Sequence, residues 1–492
     1  MRCLLGIDVG TTGTKTLLFR QDGKLLGQSY CGYETKTPGV GRSEQDPNDW
    51  WNALVKTVRQ VCRDPETAAS VAAISLSTQG GTLVPVDENY GSVRPAFVWN
   101  DIRCKEECQV FDWELGADTI YQKTGWALEP SQNLMQIRWM KDHEPDLFDK
   151  TAYFLSVPDY MSYRLTGIAA IDPSNMGINQ LGDIRSGAYD AELLAFAGIR
   201  AAQLPKIQPS GTSIGCLTAE AAAALGLSEQ VVLVAGAHDQ YAVALGAGAC
   251  EKDDILIGTG TCWVVTRISD QPDFASGLSQ SVAAAPGMWG SLCALSSGGV
   301  CLDWLRKSIL SDGAGQSPSY EQINEEVACR EAAKDGLFFY PFTGYARDGA
   351  FFKKGTFAGM DLSHDKYHLA RAVMEGVAYQ ILWMLEGFHA APKTLRLTGG
   401  ATKSRLWCQM VADMSGLPVT IPETADLGCV GAAILAGVGC GIYEDARQGY
   451  ARMAIPEETI LPDPGRTAMY QKQEKLYRQL AGQLHPIAHL FQ

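Results

Sequence analysis

One stretch constrains this chain more than any other: Val231-Val-Leu-Val-Ala-Gly-Ala-His-Asp-Gln-Tyr-Ala-Val-Ala-Leu-Gly-Ala-Gly248. Four apolar residues, Val231 to Val234, read as a fully buried strand. Small residues then let the backbone turn, and Asp239 arrives ahead of the helical run Gln240 to Leu245. A buried strand passing straight into a helix is the signature of an α/β protein. Open α/β sheets bind their ligands at the carboxyl ends of strands, where this carboxylate stands. Aspartate also fills helix N-caps very often, and the stretch by itself leaves both roles open.

With 492 residues the chain exceeds what one core supports, so two domains are expected. Its 46% hydrophobic and 20% charged content is that of an ordinary globular protein. A net charge of −14 offers no basic field for phosphate backbones, so no nucleic-acid partner is expected. A nucleotide ligand would then need backbone N–H groups and a cation. The 14 cysteines form no CxxC pair, and Cys104 and Cys108 lie four apart on a helix, so reduced thiols in a cytoplasmic enzyme are expected. The apolar run at the N-terminus is too short for a signal peptide. No stretch of roughly 18 apolar residues predicts a membrane span.

From the start, Leu4 to Asp8 reads as a short strand ending in a carboxylate. Gly10-Thr-Thr-Gly-Thr14 bends it back into Lys15 to Phe19, and Gln21-Asp-Gly-Lys24 turns that strand into a third. Gly10 and Gly13 allow close backbone approach, and Thr11 and Thr12 add hydroxyls, which suits a phosphate cradle or a plain hairpin. The loop lacks the Gly-Lys dipeptide and spacing of a Walker A motif, and no GxGxxG opens a helix after the first strand. Asp46-Pro47-Asn-Asp49 predicts a helix start, with Trp50 and Trp51 packed inward. Polar loops follow strands at Ser77-Thr-Gln-Gly-Gly-Thr82 and Phe97-Val-Trp-Asn-Asp101, and Ile171 to Asn175 reads as a loop.

Past Gly248 the opening pattern returns. Asp254-Ile-Leu-Ile-Gly258-Thr-Gly-Thr-Cys-Trp263 is a strand, a Gly/Thr bend and a returning strand. Self-similarity at half the chain length predicts two related domains across a cleft, divided as 1–246 and 247–492. Ser296-Ser-Gly-Gly299 opens a helix, and Leu395 to Thr398 runs into Gly399-Gly400 ahead of an amphipathic helix over Leu406 to Met414. Such turns hold anions at helix N-termini or merely pack closely. Ala425 to Gly437 predicts a small-residue core helix, and Thr467 to Leu480 a charged amphipathic one. His364 and His368 lack an HExxH glutamate and are expected as surface histidines.

Taken together, these pieces resemble the FGGY family of carbohydrate kinases. The most specific feature is Gly355-Thr-Phe-Ala-Gly359-Met360, seven residues, then His368-Leu-Ala-Arg-Ala-Val-Met-Glu375, which matches the family's C-terminal signature. The other signature is partial in Ser131 to Met140: Gln136 stands where lysine is usual, and Asn133 where a Pro, Ser or Thr is usual. The resemblance implies two actin-like (ribonuclease H-like) α/β domains with an interdomain active-site cleft, and phosphoryl transfer from ATP with Mg²⁺.

Carried over by motif, Asp239 matches the catalytic base, and Asp8 with Asp239 the metal-positioning carboxylates. Gly10, Thr11 and Thr12 match the first phosphate loop, and Gly258, Thr259 and Gly260 the second. Gly298 and Gly299 match glycines near phosphates and ribose, and Gly399, Gly400, Ala401 and Ser404 the adenosine turn. Gln79, Gly80, Asn100, Asp101, Arg103, Asp239 and Gln240 fall at sugar-facing positions. Glycerol kinase carries an Arg-Glu pair where Gly80-Gly81 stand, so glycerol is disfavoured. Xylulokinases show Met-His-Gly at Thr78-Gln79-Gly80, yet Trp99-Asn-Asp-Ile-Arg103 looks xylulokinase-like. A ketopentose such as xylulose is therefore the expected substrate, with a tetritol, glycerol or the autoinducer-2 precursor as alternatives. A chaperone-like actin-fold ATPase or a regulator without chemistry is the rival class. A homodimer is left open.

Overall fold

A computed structural model describes residues 2–332, 336–342, 354–424, 426–453 and 455–484. The chain divides into two compact units. The first comprises Met1–Lys252, Ile268–Gly290 and Asp426–Ile455; the second comprises Asp253–Arg267, Ser291–Ala425 and Pro456–Gln492.

In the first unit, strands β1 (Cys3–Val9), β2 (Gly13–Arg20) and β3 (Leu25–Gly32) form the expected meander. Next come helix α1 (Pro47–Val61) and strands β4 (Val71–Thr78), β5 (Ser213–Cys216) and β6 (Val232–His238). The sheet order is β5-β6-β4-β1-β2-β3, with β1, β4 and β6 mutually parallel. Parallel strands covered on both faces are apolar throughout, and Cys3, Leu4, Leu5, Ile7 and Val9 are all fully buried. Helix α1 starts as its sequence dictates: the Asp46 side chain accepts from Asn48 N at 2.9 Å and Pro47 takes the first helical position. Trp50 is fully buried and Trp51 partly so.

Helix α2 (Asp239–Gly246) follows β6 directly. Far along the chain, the small-residue run becomes α6 (Leu427–Gly439), which belongs to this unit; Ala425 lies outside the described residues. Its glycines explain the placement. A Cβ on Gly6 would lie 1.8 Å from the Cys429 carbonyl oxygen, one on Gly431 2.0 Å from that of Ala242, and one on Gly246 2.0 Å from that of Leu427. Side chains larger than hydrogen would hold α6 off both β1 and α2. A small four-stranded sheet, ordered Glu44–Gln45, Ala96–Phe97, Leu83–Val86, Tyr153–Ser156, carries a second apolar cluster that includes Phe97, Phe111 and Met135.

The second unit repeats the plan. Strands β7 (Ile255–Thr259) and β8 (Trp263–Ser269) pair antiparallel, and β10 (Leu395–Gly399) lies parallel to β7, as β4 does to β1. With β9 (Trp289–Leu295), β11 (Val419–Pro422) and β12 (Glu457–Ile460), these six strands run in the order β9-β8-β7-β10-β11-β12 within a seven-stranded sheet. Its helices include α3 (Gly299–Ser308), α4 (Lys366–Gly387), α5 (Arg405–Ser415) and α7 (Pro464–Leu484), with a shorter helix over Tyr320–Ala328. At the head of α4, His364 and His368 accept the N–H groups of Asp361 and Asp365 through Nδ1, at 3.0 and 3.1 Å. Among the described residues, no helix is long and apolar enough to cross a membrane.

Candidate functional site

Two carboxylates lie together at the carboxyl ends of the parallel strands of the first unit. Asp8 precedes the last residue of β1, opposite Ser77 of β4, whose hydroxyl donates to Asp8 Oδ1 at 2.6 Å. Burial raises the Asp8 carboxyl; the Ser77 hydrogen bond works against that, and the negative charge of Asp239 adds to it, so that it is pushed up to about 6. Asp239 is the first residue of α2, and its side chain is 33% exposed, enough to meet a ligand. The N-cap is His238, which makes no side-chain capping bond, so the capping role open to Asp239 in the sequence is not the one it takes. Its Oδ1 accepts from Gln240 Nε2 at 3.2 Å and lies 3.4 Å from His238 Nε2.

The register explains how Asp239 reaches this position. The β6–β4 pairing shifts between Val234 and Ala237, and a Cβ on Gly236 would lie 1.7 Å from the Leu76 carbonyl oxygen. Such a bulge re-aims the residues beyond it. Two neighbouring carboxylates, one of them partly exposed, could hold a divalent cation. Magnesium is commonly bound through one or two carboxylates, with water and phosphate completing its shell. Among the described residues no group of three or more His, Cys, Asp or Glu forms a closed metal cage.

The Gly10–Gly13 bend is a tight turn, with Gly10 N donating to Gly13 O at 3.1 Å. A Cβ on Gly10 would sit 3.7 Å from Asp8 Oδ2, which places the loop beside that carboxylate. The Thr11 hydroxyl accepts from Trp99 Nε1 at 2.8 Å, and the Thr12 carbonyl accepts from Tyr33 N at 3.2 Å. Gln45 is a residue the sequence did not single out for a role. Only 2% exposed, it donates through Nε2 to Thr11 O (2.6 Å) and Thr35 Oγ1 (2.7 Å). Its Oε1 accepts from Trp50 Nε1 (3.0 Å) and Gln79 Nε2 (3.1 Å). The available signal was the Ser43-Glu-Gln-Asp-Pro47 run just before a helix start.

The sugar-facing set divides in two. Asn100 is exposed, and Asp239 and Gln240 are partly so. Gln79 is buried behind the turn and tied to Gln45. Asp101 and Arg103 are committed to each other: Arg103 donates from Nε to Asp101 Oδ1 (2.9 Å) and from Nη2 to Oδ2 (2.6 Å). Arg103 also pairs with Glu44, stacks 4.6 Å from the Phe97 ring centre, and has a side chain only 4% exposed. Gly80 and Gly81 have no room for side chains. A Cβ there would lie 2.5 Å from His238 Cδ2 and 2.8 Å from Gln132 Oε1, respectively, and Gly81 has φ +64°.

The second unit holds a cavity of about 660 Å³, within the range of small-ligand sites. Six of the expected nucleotide residues line it: Thr259, Gly260, Gly299, Gly400, Ala401 and Ser404. Gly258, Gly298 and Gly399 stand directly beside these in the chain and shape the turns. Gly399 has φ +98°, and a Cβ on Gly298 would lie 2.2 Å from the Trp263 ring. Thr259 Oγ1 donates to Thr398 O (2.6 Å) and accepts from Ala401 N (3.2 Å), joining the β7 and β10 turns. Ser404 caps α5 through Trp407 N (3.2 Å) and donates to Asn324 (2.8 Å). Asp303 and Lys403, beside those turns, also line it, as do Tyr320, Glu321 and Asn324, which come from a segment whose sequence carries no motif.

Comparison with known proteins agrees with this geometry. Residues 3–246 match the N-terminal domain of the FGGY family of carbohydrate kinases, and residues 254–440 its C-terminal domain. The chain is 28% identical over 446 residues to a gluconokinase of Bacillus licheniformis, covering 88% of this chain and 86% of that one. It is also 28% identical over 499 residues to a xylulose kinase of Escherichia coli (strain K12), covering 98% and 99%. A solved xylulose kinase from Lactobacillus acidophilus superposes with a TM-score of 0.91 at 25% identity over the full length of both chains. The fold is thus a pair of actin-like (ribonuclease H-like) domains. The chain belongs to the FGGY family of carbohydrate kinases: it is a phosphotransferase for a small sugar or polyol, a family membership that implies ATP as phosphoryl donor.

Proposed function

We propose that this kinase phosphorylates a terminal hydroxyl of a neutral ketopentose such as xylulose, with Asp239 as the base that receives the hydroxyl proton. The observation that carries the base assignment is the partly exposed carboxylate at the first residue of α2, beside Asp8. Phosphoryl transfer rests on positioning and on neutralising charge at the transferred group. A base within hydrogen-bond reach of the attacking hydroxyl contributes about 10²–10⁴-fold. Mg²⁺ would be held by Asp8 and Asp239, and it supplies charge neutralisation on the phosphate oxygens. Thr11 and Thr12 offer backbone donors to phosphate at the bend that the Gly10 N–H closes on Gly13 O, and the cavity of the second unit suits the nucleotide, with Thr259, Gly299 and Ala401 at its turns.

Charge supports this substrate class. Gluconate carries a carboxylate that needs a cation or several N–H donors. Within the sugar-facing set the one guanidinium, Arg103, is buried, and its charge is already paired with Asp101 and Glu44 through Nε and Nη2. Asn100 and Gln240 are neutral and suit hydroxyls. Glycerol is disfavoured because Gly80 and Gly81 stand where glycerol kinase carries its Arg-Glu pair. The test is coupled ADP release with ATP, Mg²⁺ and a panel of ketopentoses, tetritols, glycerol, the autoinducer-2 precursor and gluconate. Strong stimulation by a ketopentose is expected, with turnover lost and ADP binding kept in Asp239→Asn. Preference for gluconate would overturn the substrate assignment, and full-rate ATP hydrolysis without sugar would overturn the kinase mechanism.

A further inference from the structure

The segment read as a plain loop, Ile171 to Asn175, is instead the start of a short helix, Pro173–Ile178, capped by Asp172. The Asp172 carboxylate is 3% exposed and gathers this helix start. Oδ1 accepts from Ser174 N (3.0 Å), Asn175 N (3.1 Å) and the Ser174 hydroxyl, and Oδ2 accepts from Asn175 Nδ2 at 2.6 Å. Both tethered side chains then reach the ends of catalytic strands. Ser174 Oγ accepts the main-chain N–H of His238 at 2.8 Å, and Asn175 Nδ2 reaches Thr78 Oγ1 at 3.3 Å. His238 and Thr78 are register partners at the ends of β6 and β4, each immediately before a residue of the candidate site, Asp239 and Gln79.

Ser174 thus relays the position of Asp172 to the end of β6. Ser174 Oγ has one hydrogen to give and it lies toward Asp172 Oδ1, so the hydroxyl turns a lone pair toward the His238 N–H. That N–H lies past the β6 bulge, at the last strand residue before α2. The geometry points to Asp172 and Ser174 as positioning residues for the phosphoryl transfer: they fix the strand end from which Asp239 projects, and neither touches substrate. This rests on Asp239 being the base. Misplacing a reacting group by about 1 Å costs on the order of 10²-fold in rate, so the hydroxyl should matter to kcat and little to ground-state binding.

The experiment is a double-mutant cycle in the full-length enzyme, scored on kcat and on KM for sugar and ATP. Ser174→Ala is expected to lower kcat by about 10²-fold, with both KM values within about twofold and the stability lowered by no more than the roughly 1–3 kcal/mol that an unpartnered buried N–H costs, so that the enzyme is folded at the assay temperature. In the Asp239→Asn background the same substitution is expected to have no further effect, because groups acting as a unit are non-additive. Asp172→Asn keeps an acceptor oxygen for Ser174 and is expected to lose less than Ser174→Ala. Undiminished kcat in Ser174→Ala, an equal loss in the Asp239→Asn background, or a larger loss in a folded Asp172→Asn would each overturn the relay. If turnover depends on Asp239 but not on Ser174, this inference alone falls; if no panel sugar is phosphorylated by the wild type, the functional reading falls and takes the relay with it.

Discussion

Replacing Asp8 by asparagine should make the protein more stable and less active, and the size of the gain can be worked out. The carboxyl is raised from 3.8 to about 6 by burial, with Asp239 adding to the effect and Ser77 opposing it. In the folded protein it therefore holds its proton to a higher pH than in the unfolded chain. The resulting stability is present below the unfolded value and is lost as pH rises through about 6. At about 1.4 kcal/mol per pH unit, the ionised group costs the fold at most roughly 3 kcal/mol above that point, less whatever solvent contact relieves. Asparagine keeps an oxygen for the Ser77 hydroxyl and carries no charge. Urea unfolding in the presence of a chelator should show Asp8→Asn ahead of wild type at pH 8, with the advantage about 1 kcal/mol smaller at pH 5. Sugar-dependent ADP release should fall by at least about 10²-fold in the same variant. A variant less stable than wild type at pH 8, or an advantage that does not grow between pH 5 and pH 8, would refute the claim that burial of an ionised Asp8 is what the fold tolerates for function.

Other outcomes follow from single contacts. Gly6→Ala places a methyl 1.8 Å from the Cys429 carbonyl oxygen, so urea unfolding should show a loss at or beyond the upper end of the roughly 1–3 kcal/mol of ordinary overpacking. Arg103→Met leaves the Asp101 carboxylate, fully buried, without its ion-pair partner, and should cost about 3–5 kcal/mol in the same assay. In Asp101→Asn/Arg103→Met the combined loss should be smaller than the sum of the two single losses. Thr259→Val removes the hydroxyl that joins the β7 and β10 turns and should raise KM for ATP about tenfold with KM for sugar unchanged, read by ADP release.

Much of this molecule could be read from residues close together in sequence. Leu4 to Asp8 and Val231 to Val234 are apolar enough that only buried strands suit them. The Gly/Thr bends at Gly10 and Gly258 form hairpins because the required backbone freedom is local. Asp46-Pro47 capped its helix for the same reason. The repeat of strand, bend and strand at the two hairpins implied two like units, and each unit does pair its hairpin with a parallel strand in the same way.

What tertiary structure alone decided lies in contacts between distant residues. Nothing near Leu427 says that α6 packs on β1; that follows from a hydrogen atom at Gly6, more than 400 residues earlier, leaving room for the Cys429 carbonyl. That Arg103, placed by its motif at a sugar-facing position, pairs through Nε and Nη2 with Asp101 and Glu44 shows only in the fold. Gln45 gained its place between Thr11 and Gln79, and Asp172 its reach to the end of β6, only once separate strands lay side by side. Local propensity fixes where a strand or turn can be, because its energy terms involve neighbours along the chain. Which polar atom satisfies which is settled by burial, since a donor removed from water must find whatever acceptor the packing brings to it.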